Sequence, residues 1–252
     1  MIRTAMMLTL AGLASAAVAG PTYKFHGTQS NGMFTSVGGV NNNAGTILEV
    51  ASTWNTTTQR LTFDLVTDGG TDGFWLALSP GDNPKGHAGE LALIYFDRGQ
   101  DRGGVPSMSV YAYNGVNGSN SWQNPGDFIV STEDGSGWDA NLTQGNDLDG
   151  NRFMSFDVDA SVIQSHTPAF PGSSPWTGVE FGERAGIWMH TVENPVNGGV
   201  NYDSTGQLTR FSYGRQGWWD GAGISTQVVI PLPTTAALGL AGVGLVGFRR
   251  RR

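Results

Sequence analysis

Cysteine is missing from the 252-residue chain, which excludes disulfide bonds, thiolate catalysis and cysteine-ligated zinc. The four histidines stand at positions 26, 87, 166 and 190, so no two of them have the close spacing that is typical of a preformed zinc site. The Gly-x-Ser-x-Gly motif of a serine nucleophile is absent as well. The sequence therefore carries none of these familiar catalytic signatures.

Basic residues are scarce in the body of the chain. Five of the 14 Lys and Arg residues are Arg3 and the arginines at 249–252, which leaves nine basic against 21 acidic residues and a net charge of −12. A nucleic-acid-binding protein needs a basic patch, so this composition argues against nucleic acid as a partner. An acidic body is suited to staying soluble and to meeting cations or neutral polymers.

Helical periodicity is almost absent between the two ends of the chain, whereas short runs of apolar–polar alternation are frequent. Residues 46–54 and 61–66 predict an antiparallel hairpin with one buried face. The apolar runs 74–78 and 91–96 predict strands that are covered on both faces, and residues 161–164 predict one helical turn. With 38 glycines to supply turns, we expect an all-β fold, an antiparallel two-sheet β-sandwich of the jelly-roll or lectin-like kind.

The first 19 residues have the layout of a secretory signal peptide. Arg3 supplies a positive start, Ala5–Leu13 an apolar run, and Ala17-Val18-Ala19 a small-residue cleavage site. We therefore expect export, with Gly20 as the first residue of the mature protein.

Three signals follow one another at the C-terminal end. Pro231 and Pro233 hold the chain extended, and Thr234–Phe248 is an uncharged run of 15 residues. As a helix this run would cover about 22 Å, less than the hydrocarbon core of about 30 Å. The final Arg249, Arg250, Arg251 and Arg252 are expected to stay cytoplasmic. A helix of the globular core is the alternative, but it would show a polar face, which the run lacks. The pattern predicts transient membrane insertion with the body outside.

The order of these parts resembles the PEP-CTERM sorting domain of bacterial surface proteins, with Leu232 where the usual motif has glutamate. The resemblance covers roughly Val228–Arg252. It implies processing by an exosortase, a membrane-embedded transpeptidase-like enzyme, in a bacterium with a Gram-negative-type envelope. It also implies delivery to the cell surface or extracellular matrix and an association with exopolysaccharide or biofilm. The predicted organisation is a signal peptide at 1–19, a β-sandwich at 20–225 and a sorting segment at 226–252.

Some tryptophans lie among Gly, Ser, Asn, Asp and Pro, where the sequence predicts loops. An exposed indole beside hydrogen-bonding side chains can stack on a sugar ring. The alternative is that these rings fold back as lids over the ends of the sandwich. The candidates for binding polysaccharide are Trp122, Trp138, Trp176, Trp218 and Trp219.

One acidic stretch has the spacing of the start of a calcium loop. Asp147, Asp149 and Asn151 place oxygen-bearing side chains at alternate positions around Gly150. The downstream glutamate of an EF-hand is absent, because position 158 is Val158. A single bound calcium ion and an ordinary Asp/Asn/Gly turn are the alternatives, and no other cofactor is predicted.

Hydrolysis of a glycan needs two carboxylates about 5–10 Å apart in one cleft. The nearest pair in sequence is Glu180 and Glu183, which point to opposite faces of a continuous strand unless Gly182 forms a bulge. The Glu-x-Asp-x-x-Glu signature of lectin-like glycosidases is absent. We therefore expect a non-catalytic structural or adhesive module; a secreted glycan hydrolase and a calcium-dependent adhesion module are the alternatives.

Overall fold

A computed structural model describes five stretches of the chain, residues 19–28, 40–82, 89–115, 127–169 and 176–231. Residues Pro21–Val229 form one compact unit. Every strand given below belongs to Pro21–Val229. Most of the predicted signal peptide, Pro233, the apolar run and the arginine cluster lie outside the described residues.

The described residues form 14 β-strands, one short α-helix and a 3-10 turn at Gln100–Arg102. The helix α1 is Ser161–Gln164, as the sequence predicts. The strands are β1 (Thr22–Thr28), β2 (Val40–Asn41), β3 (Ile47–Asn55), β4 (Arg60–Thr67), β5 (Gly73–Ser79), β6 (Ala92–Asp97), β7 (Ser107–Ala112), β8 (Phe128–Ser131), β9 (Ala140–Asn146), β10 (Arg152–Asp159), β11 (Arg184–Tyr202), β12 (Leu208–Gln216), β13 (Trp218–Ser225) and β14 (Gln227–Val229).

These strands form two antiparallel sheets. Sheet A has the order β14, β1, β3, β4, β10, β9, and sheet B has the order β2, β13, β11, β5, β6, β7, β8, with β12 paired to β11. The prediction of an all-β, antiparallel fold is confirmed.

The two sheets share one hydrophobic core. Phe63 of sheet A lies 5.5 Å from Phe74 of sheet B between ring centroids, and each ring also contacts a neighbour in its own sheet, Phe156 and Phe96 respectively. In β4 buried residues alternate with partly exposed or exposed ones, whereas β5 and β6 are buried along their whole length. One-sided and two-sided burial therefore follow the alternation and the apolar runs in the sequence.

A second buried cluster covers the outer face of sheet B, and we call it the outer cluster. It contains Trp75, Tyr95 and Tyr111 of the sheet, with Val200 and Leu208 from the long β11–β12 pair. The ring of Phe211 in β12 stands edge-on at 5.3 Å from Trp75 and 5.0 Å from Tyr95. This cover explains why β5 and β6 have no exposed face.

Three parts of the fold differ from the sequence-based expectation. β9 lacks the apolar alternation from which the sequence predicts strands, because its residues Asn141, Thr143 and Gln144 are polar. It is the edge strand of sheet A. Trp218 and Trp219 begin β13 rather than occupying a loop. β14 pairs with β1, so the body extends to Val229, beyond the boundary expected at 225.

Among the described residues, none of the helices has both the length and the apolar character needed to span a membrane.

Candidate functional site

Two neighbouring strands of sheet B continue their inward-facing rows into charged residues. In β6 the inward residues Ile94 and Phe96 are followed two positions later by Arg98, and in β5 Phe74 is preceded by Asp72. The backbone N–H of Arg98 donates to the carbonyl oxygen of Asp72 at 2.9 Å. The two charged residues are therefore neighbours at the same end of the sheet.

The facing strands of sheet A do the same. In β9 the inward residue Leu142 is followed by Gln144 and Asn146, and in β10 Met154 is preceded by Arg152. Asn146 pairs with Arg152 in the sheet register. The interior of the fold thus changes from apolar to polar at this end.

The polar ends enclose a pocket of about 340 Å³, which we call the polar pocket. Among the described residues its lining offers two guanidinium groups, three side-chain amides and one carboxylate. The lining residues are Asp72, Arg98, Gln100, Gly104, Gln144, Asn146 and Arg152.

One ion pair in the pocket joins the two sheets. Arg152 Nη1 lies 2.5 Å from Asp72 Oδ1 and 3.0 Å from the carbonyl oxygen of Thr71. Asp72 is only 2% exposed. The amide of Gln100 lies beside both carboxylate oxygens, to which its nitrogen donates at 2.7 and 3.0 Å when it faces them. A buried carboxylate needs such partners, because its loss of hydration is otherwise uncompensated.

Arg98 crosses the pocket in the opposite direction and is held by neutral groups. It donates to Gln144 Oε1 at 2.9 and 3.1 Å, to Asn146 Oδ1 at 3.1 Å and to the carbonyl oxygen of Gly145 at 3.2 Å. Within the described residues it forms no ion pair with a carboxylate. Burial lowers the pKa of Arg98, and the positive charge of Arg152 lowers it further, while Asp72 acts in the other direction.

The charges of the lining leave an excess of one positive charge, since two arginines face one aspartate. The guanidinium and amide groups can hydrogen-bond an oxyanion or the hydroxyl groups of a ligand. A single carboxylate held by Arg152 does not provide the acid–base pair that glycoside hydrolysis requires. The polar pocket has the chemistry of a binding site.

None of the four described tryptophan candidates lines this pocket. Trp219 is completely buried in the shared core, so the prediction that its ring stacks on a sugar is wrong. Trp122 lies outside the described residues.

The other three tryptophans differ in exposure. Trp138 and Trp176 are half-buried against the core, and their indole N–H groups donate to the carbonyl oxygens of Asp159 at 2.8 Å and Ile163 at 3.1 Å. This is the lid arrangement that the sequence left as an alternative. Trp218 is 39% exposed, with its ring centroid 6.5 Å from that of His190. Of the described candidates, Trp218 offers the most ring surface to a ligand.

The calcium candidates lie in the turn between β9 and β10. The carboxylate of Asp147 accepts hydrogen bonds from the backbone N–H of Asp149 at 2.9 Å, the backbone N–H of Asn151 at 2.8 Å and the Asn151 amide at 2.9 Å. The bond from the Asn151 side chain is the main reason that the pKa of Asp147 is lowered. No group of three or more histidines and carboxylates suited to a metal ion occurs in the described part of the chain. Calcium binding at this turn stays a prediction.

Glu180 and Glu183 lie outside the strands, in the segment before β11, and both side chains are exposed. Neither glutamate lines the polar pocket.

The sequence does carry a signal for the polar pocket, although it is weak. In each of the four strands, every second residue faces inward, and continuing this alternation leads to Asp72, Arg98, Asn146 or Arg152. A strand prediction that relies on apolar residues ends before these polar positions. Only the pairing of the sheets shows that these four rows end together.

No protein-family model matches the chain, and no curated protein matches it.

Proposed function

We propose that this chain is an exported bacterial protein that works at the cell surface or in the extracellular matrix as a non-catalytic adhesive module. In this proposal its body is a β-sandwich of the jelly-roll or lectin-like kind that binds extracellular polysaccharide. A signal peptide at 1–19 starts export, and the PEP-CTERM-like segment directs processing by an exosortase-type membrane enzyme.

The polar pocket is the observation that carries the binding part of the proposal. Ligand sites are concave and contain a few convergent polar groups that fix the ligand's orientation. Here the amides of Gln100, Gln144 and Asn146 stand beside two guanidinium groups around one opening. Side chains of these types donate to or accept from the hydroxyl groups that cover a sugar.

The non-catalytic part is supported by the same site. Asp72 is the single carboxylate of the lining, and Arg152 and Gln100 engage it from two sides. A lone carboxylate held in this way does not supply the pair of carboxyl groups that hydrolysis of a glycosidic bond requires.

Delivery is supported by the order of the signals at the two ends of the chain. A 15-residue apolar run is shorter than the hydrocarbon core, and terminal arginines resist transfer through lipid. Together they suit a segment that holds the protein at the membrane until it is processed.

The test follows the full-length chain in a bacterium that has an exosortase. We expect a mature N-terminus at Gly20, loss of the segment after Pro233, and surface exposure of the body, measured by intact-mass spectrometry and protease accessibility. Replacing Arg249–Arg252 with four serines should impair processing. A full-length protein that stays inside the cell with both ends intact would contradict the proposal for delivery.

The binding part is tested with the mature protein recovered from the surface. We expect retention on an immobilised panel of polysaccharides, whereas passage through every member of the panel would remove the adhesive function.

A further inference from the structure

We propose that the polar pocket binds the carboxylate group of a sugar acid, so that the ligand of this protein is an acidic polysaccharide. The polysaccharide part rests on the proposed function. The preference for a carboxylate rests on the pocket's own charges and donors.

The excess positive charge of the pocket comes from Arg98, which has no acidic side chain as an ion-pair partner. All 21 acidic side chains of the chain lie within the described residues, and none of them forms an ion pair with Arg98. The nearest acidic neighbours in sequence are Asp97, which belongs to the outer side of sheet B, and Asp101, which is exposed on the 3-10 turn. A body of net charge −12 therefore keeps one arginine of the polar pocket without a carboxylate partner.

The donors of Arg98 are partly engaged and partly open. Its Nε and Nη2 atoms donate to Gln144, Gly145 and Asn146, which fix the plane of the guanidinium group. Its Nη1 atom has no acceptor among the described residues. A guanidinium group held in this way presents a preorganised, charged donor to a planar oxyanion.

A monoanion fits this arrangement better than a dianion. Arg152 is committed to Asp72, so the pocket offers one net charge and not two. A carboxylate carries one charge, whereas a phosphate monoester carries nearly two at neutral pH. The charge balance therefore favours a sugar carboxylate over a phosphate monoester.

The remaining polar groups suit the hydroxyl groups of the same sugar. Asn146 is an exposed residue whose Oδ1 accepts from Arg98, and Gln100 presents its amide oxygen once its nitrogen faces Asp72. A volume of about 340 Å³ lies near the lower end of the range of ligand pockets, about 300–1,000 Å³. One sugar unit of a polymer is the size of ligand that this space suits.

The first experiment measures the binding of D-glucuronate and D-glucose to the mature protein by titration calorimetry. We expect glucuronate to bind at least about tenfold more tightly than glucose, because charge-assisted hydrogen bonds are roughly twice as strong as neutral ones. Its affinity should fall with added salt. Equal affinity for the two sugars, or no binding of glucuronate, would overturn the proposal.

The second experiment changes the charge of the pocket. Arg98→Gln should weaken glucuronate binding about tenfold, and Arg98→Lys should weaken it less because the charge is kept. The matched control is Arg210→Gln, which removes an exposed arginine from β12. Asn146→Ala is a second pocket variant, at an exposed position of the edge strand, in case Arg98→Gln does not fold. Glucuronate affinity that is unchanged in the folded pocket variants contradicts the proposal.

Retention on polymers separates this proposal from the proposed function. We expect retention on polygalacturonate but not on dextran, and loss of retention in Arg98→Gln. Retention on both polymers, insensitive to Arg98, would leave the adhesive function in place and overturn the carboxylate site. Binding of free glucuronate without retention on any polymer would support the site and overturn the adhesive function. Equal retention on dextran sulfate would overturn the preference for a carboxylate.

Discussion

Two carboxylates, Asp72 in the polar pocket and Asp97 beside the outer cluster, are each only 2% exposed. The two residues lie at the ends of the neighbouring strands β5 and β6 but on opposite faces of sheet B. Asp72 faces inward and has Arg152 at 2.5 Å. Asp97 faces the outer cluster, where its own hydrogen-bond donor is the backbone N–H of Gly99 and Arg102 attracts it only through space. Burial raises the pKa of Asp97 to about 6.

The two carboxylates are equally buried but have different partners, so burial alone does not determine how a carboxylate is compensated. Arg102 is engaged with Glu133 at 2.7 Å, so it compensates Asp97 only in part. Arg152, in contrast, reaches across from the other sheet directly to Asp72. A strand sends successive residues to opposite faces, so a shift of one position decides which partners a buried acid meets.

The largest effect is expected when Asp72 loses its arginine. Arg152→Met leaves a buried carboxylate without its counter-ion and should lower the free energy of unfolding by about 3–5 kcal/mol. The control is Arg60→Met, because the side chains of Arg60 and Arg152 are both 25% exposed. The partners of Arg60, Asp139 and Asp157, are 65% and 49% exposed, so the control should cost about 1 kcal/mol or less. Urea denaturation measures the free energy of unfolding of both variants. Equal losses in Arg152→Met and Arg60→Met would contradict the comparison.

The second prediction concerns the pH dependence that Asp97 gives to stability. Its folded-state pKa of about 6 lies above the ordinary value of 3.8, so the folded state holds its proton longer than the unfolded state does. The stabilisation is complete below about pH 4 and is lost as the pH rises through about 6, a change of roughly 3 kcal/mol. Asp97→Asn removes this titration, so its stability relative to the parent should rise by about that amount between pH 4 and pH 7.

Thermal or urea denaturation between pH 4 and pH 7 measures the sign and the size of this change in relative stability. Asp101→Asn is the control, because Asp101 is an exposed neighbour of the same cluster. A relative stability of Asp97→Asn that does not change with pH would show that Asp97 is ionised normally in the folded protein.

The parts of the fold that the sequence predicts well are those with a strong apolar pattern. The β3–β4 hairpin shows clean alternation, and β5 and β6 are continuous apolar runs. β9 escapes prediction because four of its seven residues are Asn, Thr or Gln, although it pairs along its length with β10.

The site is harder to predict for a related reason. Asp72 and Arg98 each precede a glycine, Gly73 and Gly99, so both resemble turn residues in sequence. Their meeting with Arg152 and Asn146 depends on the register of two sheets, which no single segment encodes. Polar and glycine-rich surroundings predict loop positions for the candidate tryptophans, but packing decides their exposure. Trp218 and Trp219 are adjacent in sequence, and only Trp218 is exposed.

The smallest effects are expected from two buried hydroxyl groups of the outer cluster, which should change stability in opposite directions. The Tyr95 hydroxyl has no hydrogen-bond partner among the described residues, whereas the Tyr111 hydroxyl accepts from the backbone N–H of Leu208 at 2.8 Å. Tyr111→Phe leaves that buried N–H unpaired and should cost about 1–2 kcal/mol, while Tyr95→Phe removes an unpaired group and should be neutral or stabilising by about 1 kcal/mol. Urea denaturation at one fixed pH compares the two variants, which remove the same atom. If Tyr95→Phe destabilises the protein as much as Tyr111→Phe does, an ordered water or another partner satisfies the Tyr95 hydroxyl, and the outer cluster is better hydrogen-bonded than the comparison with the polar pocket implies.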